Sequence, residues 1–198
     1  LPAVQTRVSG LEAAFRAEHA VSDPGLTLTV RSGNPAPSAL TEAAGKTVVQ
    51  FLQLVPNGIV SMSMDIPGLV QTSSNLGIFH VADGLLVASA SVRSSVASEK
   101  EMLLERFATL CAMLGASMEI TGDYPAWEYK RDSALRDTMV RVFTEQYGHA
   151  PKIEAIHAGL ECGLFAGKLP GLDCVSFGPD LLEIHTPREK MSIPSVQR

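Results

Sequence analysis

Residues 72–95, TSSNLGIFHVADGLLVASASVRSS, carry two runs of strand-forming residues on either side of Asp83-Gly84, and this stretch constrains the fold more than any other. Asp-Gly supplies the positive φ that a two-residue hairpin turn demands, and the apolar, β-branched and aromatic residues flanking it favour pleated backbone. The chain on either side must then serve an antiparallel sheet. Upstream, Val8, Leu11, Ala14 and Phe15 recur at helical spacing toward His19, and LTLTVRS from Leu26 alternates with a period of two, the pattern of a half-buried strand. Ser38 is the expected cap of a helix whose stripe includes Leu40, Ala44, Val48, Phe51 and Leu52, and VPNG with Pro56 and Gly58 ends it. A strand IVSMSM and a turn DIPGLV lead into the hairpin.

Beyond the hairpin, Ser95 or Ser98 opens a helix through EKEMLLERFATLCAMLG that Gly115 terminates, and ASMEITG supplies a further strand. From Leu26 to Gly122 the order is strand, helix, strand, strand, helix, strand. That is the split βαβ arrangement of ferredoxin-like domains: a four-stranded antiparallel sheet with two helices on one face, an α+β fold. At GDYPAWEYKRDS the pattern breaks, so a boundary near Gly122 separates a domain over 1–122 from a second over 123–198. In the second, Asp132 or Ser133 starts a helix to about Tyr147. A strand KIEAIHA, a glycine-punctuated loop, a strand around DCVSFGP and a loop carrying His185 follow, an alternation of α/β character.

Composition excludes several classes. With 16 Lys+Arg against 21 Asp+Glu the net charge is −5, and no basic run interleaved with aromatics offers a nucleic-acid surface. No apolar run reaches the roughly 20 residues of a membrane span, and no signal pattern opens the chain, so a cytoplasmic location without a membrane partner is expected. Cys111, Cys162 and Cys174 are odd in number and lack CxxC spacing, which disfavours both a disulfide framework and a sulfur-rich metal site. Leu1 in place of Met, and an end at EKMSIPSVQR, read as a piece of a longer chain.

The chemistry-bearing residues admit bland and sharp readings. His157, Glu161 and Cys162 could be base, orienter and nucleophile, but spacing shows no geometry, and a strand-end histidine with structural thiols explains them as well. Gly159 and Gly163 suit either close approach of backbone to a ligand or a tight connection. His185 is a surface-loop histidine or a metal ligand, with no HExxH, HxD or cysteine pair beside it. Arg93 ends the second hairpin strand and Asn75 stands near the start of the first; an arginine there is solvated or clamps a carboxylate bidentately.

The runs SMDIPGLVQTSSNLG, VRSS, GDYPAW, IHAGLECGLF and VSFGPDLLEIHTPREK, in this order, resemble the aminoacylhistidine (Xaa-His) dipeptidases of the co-catalytic zinc exopeptidase family. The resemblance spans nearly the whole chain. It implies the latter part of a ferredoxin-like lid domain to about Gly122, then the C-terminal part of an α/β catalytic domain. It further implies that His185 is one zinc ligand of a two-metal centre that activates water, the two ions about 3.5–4 Å apart. Arg93 and Asn75 match lid positions that hold the terminal carboxylate of a small dipeptide, Gly159 matches the loop beside it, and Cys162 is then no nucleophile. An HxD motif, a bridging aspartate and a Glu-Glu pair are missing, so the chain by itself is expected to be inactive and, with apolar surface uncovered, to form a homo-oligomer. The rival expectation is a non-catalytic binding or assembly module that keeps the lid fold.

Overall fold

The computed structural model describes residues 2–34, 36, 38–82 and 84–196. Two compact units divide the chain, Leu1–Gly45 and Lys46–Arg198. The first contains α1, Pro2–Glu18, which buries none of its side chains. Helix α2, Glu42–Leu54, begins at the end of this unit, and its cap is Thr41, whose Oγ1 accepts from Ala44 N at 3.2 Å, rather than Ser38. The alternating run from Leu26 to Ser32 forms no strand.

In the second unit β1 (Gly58–Met62), β2 (Val70–Ala82) and β3 (Leu85–Ser94) form one antiparallel sheet in the order β1-β2-β3. Ala82 pairs with Leu85, so the hairpin turn is two residues long; Gly84 has φ +76°, and Asp83 lies outside the described residues. A register shift between Leu76 and Ile78 places a bulge at Gly77. Helix α3, Ala97–Leu114, starts after Val96 rather than at Ser95 or Ser98, and ends at Gly115 with φ +68°. Phe51 of α2 stacks on Phe79 of β2 at 5.9 Å between centroids, on the sheet face that α3 also covers. Among the described residues the buried hydrophobic side chains are few: Val55 (8% exposed), Leu103 (0%) and Leu110 (6%).

The tie between α3 and the sheet is polar. Glu99, in the first turn of α3, accepts from Ser61 Oγ of β1 (2.5 Å), from Gln71 Nε2 (2.8 Å) and from Thr72 Oγ1 of β2. Thr72 is fully buried and also bonds Ser94 Oγ of β3 at 2.7 Å, so one carboxylate reaches all three strands. These bonds, Ser61 first and then Thr72, hold the Glu99 carboxyl below its ordinary range, against a smaller opposing effect of burial.

Past the sheet, ASMEITG, KIEAIHA and DCVSFGP form no strands; the sheet has three strands where four were expected. Alternation reports only readiness to be half-buried, and backbone becomes strand when a partner supplies the ladder. Helix α4, Ala134–Tyr147, is capped by Ser133, which accepts from Arg136 N at 3.1 Å, and closes at Gly148. The glycine-punctuated stretch is partly helical, forming α5, Glu161–Lys168. Gly163 and Gly167 stand four apart on one helix face, where a Cβ would press into Pro125, and Trp127 also lies against Gly163. Two short strands, β4 (Leu181–Leu182) and β5 (Lys190–Met191), pair around the loop of His185, and α6 (Ile193–Val196) ends the described chain.

Candidate functional site

Strand register places the first of the site residues. Ser73 of β2 pairs with Arg93 of β3, and Asn75 with Ser91, so these four side chains emerge on one sheet face, opposite Thr72 and Ser74. That face is met by residues 157–159, which precede α5. His157 Nε2 lies 2.7 Å from Ser73 Oγ, and Arg93 Nη1 donates to His157 O at 3.2 Å. The second bond uses one of the five donors of the guanidinium. Asn75 shares the face but leans along the strand: its Nδ2 is 3.6 Å from where a Cβ at Gly77 would stand.

On its other side the loop is held by Tyr124. A Cβ on Gly159 would overlap the Tyr124 hydroxyl and ring, so this position tolerates only glycine while the phenol stays in place. Tyr124 is itself tethered, its main-chain carbonyl accepting from Lys100 Nζ of α3 at 3.0 Å, and the same ammonium pairs with Asp123 at 2.7 Å. Arg93, Tyr124, His157 and Gly159 line one broad, open cleft.

Electrostatics sort the three residues with nucleophile-and-base spacing. Burial, then the nearby Arg93 charge, pushes the His157 imidazole below its ordinary pKa, favouring the neutral ring. Burial, then Cys174, pushes the Cys162 thiol up, and a thiol held neutral is a poor nucleophile. His157 also commits Nε2 to Ser73.

His185 stands apart from this cluster in sequence and in hydrogen bonding. It adopts φ +64°, next but one to Glu183 at φ +54°, both in the left-handed region that β-carbons disfavour. The turn is fastened by its own side chains: His185 N donates to Glu189 Oε2 (3.0 Å), Thr186 Oγ1 to Glu183 O (2.8 Å), and Arg188 Nε pairs with Glu183 (3.2 Å). The imidazole is exposed on a fixed loop. Among the described residues no group of three His, Cys, Asp or Glu could hold a metal ion. The described residues therefore do not complete a metal centre by themselves.

The structure brings together Arg93 and the Gly159 loop, places Asn75 on the same face, and leaves His185 on a separate hairpin. Ser73 and Tyr124 were not singled out by sequence reasoning. Ser73 had a signal: it lies two residues before Asn75, hence on the same strand face. Tyr124 had none, because its approach to Gly159 is tertiary.

No protein-family model matches the chain. It is 30% identical over 193 residues to the cytosol non-specific dipeptidase of Escherichia coli K12, a match covering 98% of this chain and 40% of that protein. A crystal structure of aminoacylhistidine dipeptidase from Vibrio alginolyticus superposes with a TM-score of 0.83 at 30% identity, again over 98% of this chain and 40% of the other. The chain is a homologue of these dipeptidases. It spans two-fifths of their length, and its mixed helix-and-sheet fold matches that of the Vibrio structure over nearly all of its own. Among the described residues no helix is long and apolar enough to cross a membrane.

Proposed function

We propose that this chain belongs to a dipeptidase that hydrolyses Xaa-His dipeptides, and that it supplies the end of the site that receives the substrate's terminal carboxylate. The observation that carries the reading is the meeting of Arg93 with the 157–159 loop on one polar sheet face. A planar guanidinium anchored by one N–H and retaining further donors suits bidentate capture of a carboxylate. Asn75 lies on the same face and offers amide hydrogen bonds to the scissile peptide, and Gly159 forms the wall beside the carboxylate. Residues 1–122 are read as the latter part of a ferredoxin-like lid, its fourth strand provided by an alternating segment once paired, and 123–198 as the C-terminal part of an α/β catalytic domain.

In this reading His185 is one ligand of a pair of zinc ions whose other ligands come from residues beyond these 198. Its fixed, left-handed turn supports such a role. When bound, such ions would supply an activated water and polarise the scissile carbonyl; what the described residues of this chain would do is bind and orient the dipeptide. A cytoplasmic setting, with no nucleic-acid or membrane partner, belongs to the same proposal, as does homo-oligomerisation, which exposed apolar side chains such as Met64 (93%) and Phe177 (82%) support.

The test is Arg93→Lys in the complete protein. Lysine keeps the charge but not the fork, so the expected result is a KM for an Xaa-His dipeptide raised about tenfold or more, the order of one charge-assisted contact, with little change in melting temperature. Unchanged kinetics would remove Arg93 from the site.

A further inference from the structure

His157 touches the sheet twice, with two different atoms, and both of its partners come from a single cross-strand pair. Its ring meets Ser73 Oγ at 2.7 Å and its carbonyl receives Arg93 Nη1 at 3.2 Å, while Ser73 and Arg93 stand opposite each other on β2 and β3. Two residues later Tyr124 closes over Gly159. The loop is thus gripped from both sides, and on the sheet side both hydrogen bonds, among the described residues, pass through this one residue. We propose that His157 is a positioning residue: through Ser73 it fixes where its own carbonyl lies, and that carbonyl in turn fixes the direction of the Arg93 guanidinium.

The physical argument concerns pre-organisation. An arginine at the end of an exposed strand samples many rotamers, and immobilising it on binding subtracts from affinity. A carbonyl acceptor held in place beforehand removes part of that loss, provided the loop cannot slide. The imidazole stops the slide. A neutral ring is required, since a protonated one would set a second cation beside Arg93 and weaken the purchase on both; the downward push on the His157 pKa agrees with this. His157 need not touch substrate or lend a proton.

The proposal rests on the reading of Arg93 as the carboxylate clamp, and the experiment separates the two. In the complete protein, His157→Ala and Ser73→Ala should each raise KM for an Xaa-His dipeptide about three- to tenfold, the loss of one hydrogen bond, with kcat changed less than about twofold. The double variant should be no worse than either single, because both remove the same link. His157→Gln, whose amide reaches about as far as Nε2, should recover most of the loss, which a general loss of folding would not allow. Additive effects, an effect confined to kcat, or no rescue by glutamine would overturn the positioning role.

Amide hydrogen exchange in the 198-residue chain supplies the second arm. His157→Ala and Ser73→Ala should speed exchange at residues 158–160 while leaving α3 protected. If the complete protein fails to hydrolyse Xaa-His dipeptides, the functional reading falls, and exchange alone decides the anchor: unchanged rates at 158–160 would refute it.

Discussion

Replacing Glu99 should release α3 from the sheet, and the structure allows the cost to be worked out. Its carboxylate takes hydrogen bonds from Ser61, Gln71 and Thr72. A hydrogen bond to a charged group contributes about 1.5–3 kcal/mol net, but the three are not additive. Ser61 and Gln71 are partly exposed and recover water, while buried Thr72 keeps Ser94 as a partner. The net loss for Glu99→Ala is then about 2–4 kcal/mol, and for Glu99→Gln, which keeps the shape and loses the charge, about 1–2 kcal/mol. Trp127, the single tryptophan, lies against Gly163 in the same unit and gives a fluorescence probe for urea unfolding. With a slope of about 3 kcal/mol per molar, Glu99→Ala moves the midpoint down by about 1 M. The sign with pH follows from the lowered carboxyl pKa. The contribution is complete above the ordinary value of 4.5 and is lost as pH falls through the lower folded value, so parent and variant converge in acid. A midpoint shift below about 0.3 M near neutral pH, or a gap that widens in acid, would refute the account of this network.

Other outcomes can be checked with the same protein. Ser74 is 2% exposed and its Oγ has no partner among the described residues, so Ser74→Ala should be neutral or stabilise by up to about 1 kcal/mol in urea unfolding. Gly159→Ala should destabilise by driving the loop off Tyr124, and adding Tyr124→Ala should recover part of the loss, giving a non-additive cycle by thermal melting. With the His157 pKa lowered in the fold, the unfolded chain takes up protons first. Its stabilising effect is present above the ordinary value of 6.5 and lost as pH falls through the interval below it, so His157→Gln should flatten the pH dependence of unfolding between about pH 7 and 5. Because the described residues hold no cluster of three such ligands, His185→Ala should leave zinc titration calorimetry of the 198-residue chain nearly unchanged.

What could be read from sequence was local. Asp83-Gly84 implied a two-residue turn, and the pairing of Ala82 with Leu85 has that length; Ser133 and Gly115 carry the cap and stop that their residue types favour. Arg93 and Asn75 were legible as residues of one hairpin, but the bulge at Gly77 leaves no mark in an alternating pattern. The alternating run at 26–32, and the runs at 116–122, 152–158 and 173–179 also read as strands, misled because strand-like residues are a property of one segment and a ladder of two. Helix α5 was read as a loop since glycines disfavour helices; here Gly163 and Gly167 are the condition for packing on Pro125. His157 was weighed as a catalytic base or a core histidine, and its contact with Ser73 joins residues 84 apart in sequence.

The most direct test of the central claim is hydrolysis of β-alanyl-histidine, with zinc supplied, by the complete protein and by the 198-residue chain side by side. The account predicts turnover by the complete protein and none by the chain alone, since the chain contributes only a proposed carboxylate clamp and a single proposed metal ligand. A complete protein that leaves Xaa-His dipeptides intact, or a 198-residue chain that cleaves them, would contradict it.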